Sequence, residues 1–228
     1  MKGTLLVKNV KHLVTCDAND RLLDGVDVFV RDGVIESIGH VEETAEDVID
    51  ASHMVMYPGL INTHHHLYQT FSRNLPQVQN MELFPWLKTL YEIWKRVDED
   101  VVYYSSLTGM GELLKTGCTT CLDHHYVFPK DTGMSLLDAQ FGAADALGMR
   151  FHATRGSMDL SVKDGGLPPD SVVQTVDEIL CDSELAVKKY HDGSRYSMGQ
   201  VALETVESQQ ESIAEVTQQG EPFHLCRD

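Results

Sequence analysis

Three consecutive histidines, His64, His65 and His66, close an extended apolar run, Met54-Val55-Met56-Tyr57-Pro58-Gly59-Leu60-Ile61-Asn62-Thr63. Where such a run is a strand, successive side chains alternate between faces, so His64 and His66 share one side and His65 takes the other. Neutral imidazole is the commonest protein ligand for zinc and also suits iron and nickel, and two imidazoles on one face make half of a catalytic coordination shell. The H-x-H pair therefore predicts a metal site. A second histidine pair, His124-His125, ends a later strand-like run. The pair Cys118 and Cys121 has the spacing of a redox centre or half a zinc ribbon. It lies in a β-branched strand, however, where residues three apart face opposite ways, and no second C-x-x-C completes it, so it reads as structural.

The elements that must position these groups fall into two textures. Residues 1 to 57 alternate in short strands (4–7, 12–15, 26–30 and 34–39) punctuated by turns such as Asp32-Gly33, a hairpin signal, which predicts a small β-sandwich-like portion. Beyond Pro58-Gly59, strands alternate with amphipathic helices, the pattern of parallel βα units. The first strand carries the histidines, and an excursion over 74–94 follows; its Phe84, Trp86 and Trp94 read as packing residues. Then come a helix over 99–115, a strand over 118–128, a helix over 133–147 stopped by Gly148, and a strand over 150–158. A Gly/Pro loop leads to a helix N-capped by Asp170 and running through Lys189, a strand over 196–203, and a helix-strand tail over 204–228. Four complete units and the start of a fifth are too few to close a (β/α)₈ barrel, which takes roughly 250 residues. The fold class expected is α/β.

Composition narrows the partners. The chain has 228 residues, 42% of them hydrophobic, enough for a packed core. Its formal charge of −17 disfavours nucleic acid and anionic membrane surfaces. No run approaches the roughly 18 apolar residues of a membrane span, and the first residues lead into a strand instead of a signal peptide, which makes a cytoplasmic protein the expectation. Five scattered cysteines argue against a disulfide framework.

Five segments, in order, carry a family resemblance: Asp32-Gly33-Val34-Ile35-Glu36-Ser37-Ile38-Gly39; Pro58 through Gln69; Asp123-His124-His125-Tyr126-Val127-Phe128-Pro129; Arg155-Gly156-Ser157-Met158; and Gly165-Gly166-Leu167-Pro168-Pro169-Asp170. Over about the first 203 residues the chain resembles the amidohydrolase superfamily, in the branch of 8-oxoguanine deaminase and hydroxydechloroatrazine ethylaminohydrolase. The resemblance implies a β-sandwich (1–57) beside a (β/α)₈ barrel, of which 58–203 would be the first half, with one divalent metal ion, zinc by default, at the C-terminal ends of the strands. It implies hydrolysis of a C–N bond of an aminated heterocycle, an 8-oxopurine, pyrimidine or s-triazine, releasing ammonia or an amine.

Residue by residue, the family's H-x-H ligands fall on His64 and His66. Gln69 matches a substrate-binding glutamine able to hydrogen-bond a ring amide edge, the alternative being an exposed polar residue that opens a loop. One of His124 and His125, with Tyr126, is expected to line the substrate pocket, and His125 is the one assigned; a structural histidine is the alternative. Arg155 is expected to bind a carbonyl oxygen or anion, against a buried ion pair. The family's later parts, a third histidine and a glutamate, a further histidine and an aspartate, are not visible. His224 invites comparison with the third histidine, but Arg227 stands where the glutamate would be. Catalytic acid and base therefore stay unassigned. The alternative expectation is a catalytically incompetent fragment of such an enzyme, self-associating as a homo-oligomer to cover its open edges.

Overall fold

A computed structural model describes residues 3–193 and 195–202; the expected tail over 204–228, with His224, lies outside the described residues. The chain divides into two compact units, one ending at Gly59 and the other beginning at Leu60.

The first unit is one five-stranded sheet. Strands β3 (Val34–Gly39), β2 (Leu22–Arg31), β1 (Thr4–Val14) and β4 (Asp47–Asp50) lie in that order, and β5 (Val55–Met56) also pairs with β1. The two strands expected over 4–7 and 12–15 are one, joined through a register shift between Val7 and Val10. Asn9 absorbs it with φ 57° while its N–H donates to Asp27 Oδ1 at 2.8 Å. Asn enters the left-handed region at low cost because its short polar side chain bonds locally, which makes it a suitable bulge residue. Asp32 and Gly33 both have positive φ (49° and 83°), the twisted two-residue turn that their sequence predicts. Val7, Val10, Leu13, Val28 and Ala51 form one apolar cluster and Leu6, Phe29 and Val41 another.

The second unit is a parallel sheet in chain order: β6 (Leu60–Asn62), β7 (Cys118–His125), β8 (Arg150–Ser157) and β9 (Tyr196–Ala202). Helices α1 (Leu83–Trp94) and α2 (Glu99–Lys115) join β6 to β7, α3 (Ser135–Leu147) joins β7 to β8, and α4 (Val176–Tyr190) joins β8 to β9. Parallel neighbours need such crossovers, so element order follows from strand direction. Asp98 caps α2 by accepting from Val101 N–H, and Gly148, at φ 72°, ends α3. For α4 the expected cap is wrong. Asp170 opens a short 3₁₀ turn, and Thr175 caps the helix in a reciprocal capping box with Glu178, a pairing that satisfies two otherwise orphaned N–H groups where Asp170 would satisfy one.

The core lies between the sheet and its helices. Leu136, Leu137, Phe141 and Ala144 of α3 are buried with Phe151 and Ala153 of β8, and Phe141 stacks on Tyr190 with centroids 3.8 Å apart. Strand alternation therefore puts Phe151, Ala153 and Arg155 on the helix side, and His152 and Thr154 on the other. Of the excursion aromatics, Trp94 is buried among Tyr68, Tyr91 and Trp86, whereas Phe84 is 62% exposed.

Close approach of β7 and β8 depends on Gly156, where a Cβ would stand 2.5 Å from the Cβ and 2.7 Å from the Cα of Tyr126. Gly156→Ala should lower stability by about 2 kcal/mol through overpacking against backbone that cannot yield. Gly111, inside α2 with nothing within 4 Å of its would-be Cβ, is the contrast: Gly111→Ala should raise stability by about 0.5–1 kcal/mol. Denaturant midpoints of the two variants against the parent chain measure both signs.

Candidate functional site

The strand ends assemble a histidine cluster. Nε2 of His64 and Nε2 of His66 stand 3.1 Å apart. The His124 ring lies 5.3 Å from His66 and 6.2 Å from His64 between centroids. His65 is turned away toward α2, its Cε1 3.6 Å from the would-be Cβ of Gly109. His64 and His66 thus share one side and His65 takes the other.

Two backbone-level contacts lock this arrangement. His124 N–H donates to His65 O at 2.7 Å, and His66 Nδ1 lies 2.7 Å from His124 O. A carbonyl only accepts, so His66 carries its proton on Nδ1 and Nε2 keeps a lone pair. That tautomer is the one a metal ligand needs. Burial lowers the pKa of His66, opposed by the bond to His124 O, and burial also lowers His124 to about 4. Both rings are neutral at neutral pH, as ligation requires. Two nitrogens on one tetrahedral zinc, each ~2.05 Å from it, would be ~3.3 Å apart; the observed pair is close to that. The residues fit half of a metal shell. Among the described residues no group of three or more His, Cys, Asp or Glu side chains is arranged to hold an ion.

The polar groups around the pair divide by face. Gln69 Nε2 donates to Tyr126 Oη at 3.0 Å and to Tyr68 Oη at 3.1 Å, and the Tyr126 ring packs edge-on to His66 with centroids 5.2 Å apart. Both amide protons of Gln69 are thus engaged within the protein, and its carbonyl oxygen is what it offers a ligand. Gln69 and Tyr126 are brought to the histidines as the sequence suggests. His124, not His125, is the neighbouring ring, and its Nε2 is buried without a partner.

His125 takes the opposite face. It is fully buried, packed on Tyr68 and Phe128, with Nε2 donating to Val127 O at 3.0 Å. Arg155 is not brought to the cluster either. It is fully buried on the helix side, donating to Asp182 Oδ2 at 3.1 Å, to Gln174 and to Gly156 O, with its guanidinium 4.2 Å above Phe128. The alternative of a buried ion pair describes it, because odd positions of β8 face helices. Cys118 and Cys121 are free thiols, Cys121 raised in pKa by burial. A cavity of about 590 Å³ lined by Lys130, Asp159, Gln174 and Glu178, among others, includes none of the clustered histidines.

Sequence reasoning overlooked Asp123. Its Oδ1 accepts Leu67 N–H at 2.6 Å, its Oδ2 accepts from Gln140, and burial pushes its carboxyl up to about 7. A carboxylate at a helix-facing position of a buried strand was the signal.

Comparison with known proteins agrees with the geometry. Residues 55–220 match the amidohydrolase family, and the chain belongs to it, a family of enzymes. It is 38% identical over 213 residues to hydroxydechloroatrazine ethylaminohydrolase of Pseudomonas sp. (strain ADP), covering 88% of this chain and 44% of that protein. It is 45% identical over 180 residues to 8-oxoguanine deaminase of Pseudomonas aeruginosa, covering 77% of this chain and 40% of the relative. The chain thus spans less than half the length of these two curated relatives. Among solved structures it resembles atrazine chlorohydrolase of Arthrobacter aurescens TC1 complexed with zinc, with TM-score 0.84 and 27% identity over 93% of this chain and 51% of that one.

Burial of His125 has a measurable consequence. Its pKa is lowered from the ordinary 6.5 to about 3, first by burial and then by the nearby Arg155 charge. The unfolded chain binds a proton at this residue from pH 6.5 downward and the folded chain does not, so stability falls as pH drops below 6.5, by roughly 3 kcal/mol at pH 4. Asp123 acts with the opposite sign, its contribution falling as pH rises from 3.8 toward 7. Between pH 7 and pH 4, denaturant melts should show His125→Gln gaining roughly 3 kcal/mol of stability relative to the parent, whatever net slope the opposing Asp123 contribution leaves in the parent.

Proposed function

We propose that this chain carries half of the active site of a metal-dependent hydrolase that deaminates an aminated heterocycle, such as an 8-oxopurine, a related pyrimidine or an s-triazine, releasing ammonia or an amine. The observation that carries the reading is the convergence of His64 Nε2 and His66 Nε2 at 3.1 Å with the His66 tautomer already set. Identity of 45% to an 8-oxoguanine deaminase supports the substrate class. Residues 58–203 are read as the first half of a (β/α)₈ barrel and 1–57 as a β-sandwich-like portion.

His64 and His66 would hold the ion, zinc by preference. When bound, it lowers the pKa of water to about 7 and makes a hydroxide nucleophile available at neutral pH. The chain's own side chains then bind and orient the ring. Gln69 Oε1 accepts a ring N–H, and Tyr126 and the unpartnered His124 Nε2 meet its polar edge. Deamination forms a C–O bond and breaks the exocyclic C–N bond; one of the water's protons leaves with the amine and the other stays on the product, on its oxygen or on the adjacent ring nitrogen. His125 and Arg155 keep the pocket's wall packed instead of touching substrate. The partner is a small heterocycle, with no role for nucleic acid or a membrane surface; no described helix is long and apolar enough to cross a membrane. A cytoplasmic location and self-association as a homo-oligomer complete the reading.

A second reading, an ion-binding fragment without turnover, draws on the lack of a third ligand among the described residues. Zinc titration and ammonia release from 8-oxoguanine and from aminated s-triazines separate the two. About one zinc per chain, lost in His64→Ala and His66→Ala, with ammonia release supports the hydrolase. Zinc without ammonia supports the fragment, and no zinc overturns both.

A further inference from the structure

Asp123 is placed where an apolar residue would be expected. It is 0% exposed, on the helix side of β7, and Gln140 of α3, also 0% exposed, donates to its Oδ2. Burying a carboxyl and an amide where leucines would pack is costly, and such pairs persist when they do something apolar residues cannot. The other oxygen, Oδ1, accepts Leu67 N–H at 2.6 Å. Leu67 follows His66 and opens the 3₁₀ turn Leu67–Ser72, and His66, in the capping position, makes no side-chain cap bond. The first N–H groups of a helical turn need acceptors. Here the acceptor comes from a different strand, so the turn after H-x-H is capped by β7. Gly109 closes the other side: a Cβ there would come 2.7 Å from the Leu67 side chain.

We propose that Asp123, gripped by Gln140, is a positioning residue that pins the backbone at Leu67, so that the His66 ring stays Nδ1-protonated against the His124 carbonyl and presents Nε2 to a divalent ion. The last step rests on the metal reading above; the pinning itself does not. Leu67 N–H, His66 Nδ1–H and His124 N–H make three successive bonds between one loop and one strand end, and Asp123 supplies the side-chain acceptor. Losing it frees the peptide next to His66 to rotate, and the ring loses its fixed distance to His124 O.

The test uses the full 228-residue chain with Asp123→Ala, Asp123→Asn and Gln140→Ala. Asparagine keeps a carbonyl for Leu67 N–H, and its amide can donate to Gln140 Oε1, which is buried without a partner. Nitrogen-15 NMR of the metal-free protein reads the His66 tautomer, and chelator competition reads zinc affinity. The expected result is a single Nδ1–H tautomer in the parent and in Asp123→Asn, and mixed tautomers in Asp123→Ala, with zinc affinity about 10–100-fold weaker in the latter. Gln140→Ala should fall between, and it carries the test with Asp123→Asn if the alanine at 123 does not fold. Ile179→Ala, which removes a buried side chain of α4 away from the loop, should lower thermal stability and leave both readouts unchanged. An unaltered tautomer and unaltered affinity in Asp123→Ala and Gln140→Ala overturn the proposal, as does an equal loss in Ile179→Ala. If the parent binds no zinc the metal reading falls, and the tautomer comparison still decides the pinning.

Discussion

The site depends on how a very short strand is held. Strand β6 pairs with β7 over only Leu60, Ile61 and Asn62, with a register irregularity after Leu60. Three residues of ladder would leave the chain beyond Asn62 free to choose its path. The bond from His124 N–H to His65 O extends the pairing past the nominal strand end, and the side-chain bond from His66 returns to the carbonyl of the same residue. One residue of β7 therefore holds both ends of the His65–His66 peptide segment. The alternation that puts His64 and His66 on one face is maintained by this two-point attachment and not by a long strand.

The electrostatic character of the cluster follows from the same packing. Burial leads the causes that lower the pKa of His65, His66 and His124, and the neighbouring histidines add to the cost of a proton, with Glu112 opposing the shift at His65. A set of neutral rings with aligned lone pairs is a poor place for another cation-bearing side chain. It is a good one for a cation that ligates. Arg155 obeys this rule by lying on the far side of the sheet, where Asp182 neutralises it. Asp123 accepts hydrogen bonds from an amide and a peptide N–H through its two oxygens, so it organises the histidines without contacting the ligand face.

What the sequence revealed was mostly periodicity. The hairpin turn at Asp32-Gly33, the Gly148 helix stop, and the face shared by His64 and His66 all follow from local rules, and all are present in the structure. What it concealed depends on the partner across a ladder. His124 and His125 are adjacent and chemically identical, so only the phase of β7 against β6 decides which joins the cluster. The pairing of Asn62 with Cys121 alone would carry His66 to the side of His125; the bond from His124 N–H to His65 O shifts the register by one residue beyond β6 and brings His124 to the side of His66. Arg155 was misassigned for the same reason: its pairing with His125 puts it on the helix side. The cap of α4 was missed differently, since Thr175 and Glu178 satisfy the S/T-x-x-E rule but stood behind a more conspicuous Pro-Pro-Asp turn.

The direction of the sheet determines where the rest of a metal shell can come from. All four strands of the second unit are parallel and in chain order, so their C-terminal ends, with the histidines, lie on one edge of the layer. Strands β6 and β9 are the outer members, and β6 leaves Leu60 49% and Ile61 66% exposed. Apolar residues on an outer strand call for a further strand or another layer to cover them. A strand added in parallel to either side would bring its own C-terminal end to the same edge, within reach of His64 and His66. Two converging imidazoles at the C-terminal edge of a parallel sheet, beside an outer strand with exposed apolar residues, are consistent with the proposal that further ligands would be contributed by additional parallel strands.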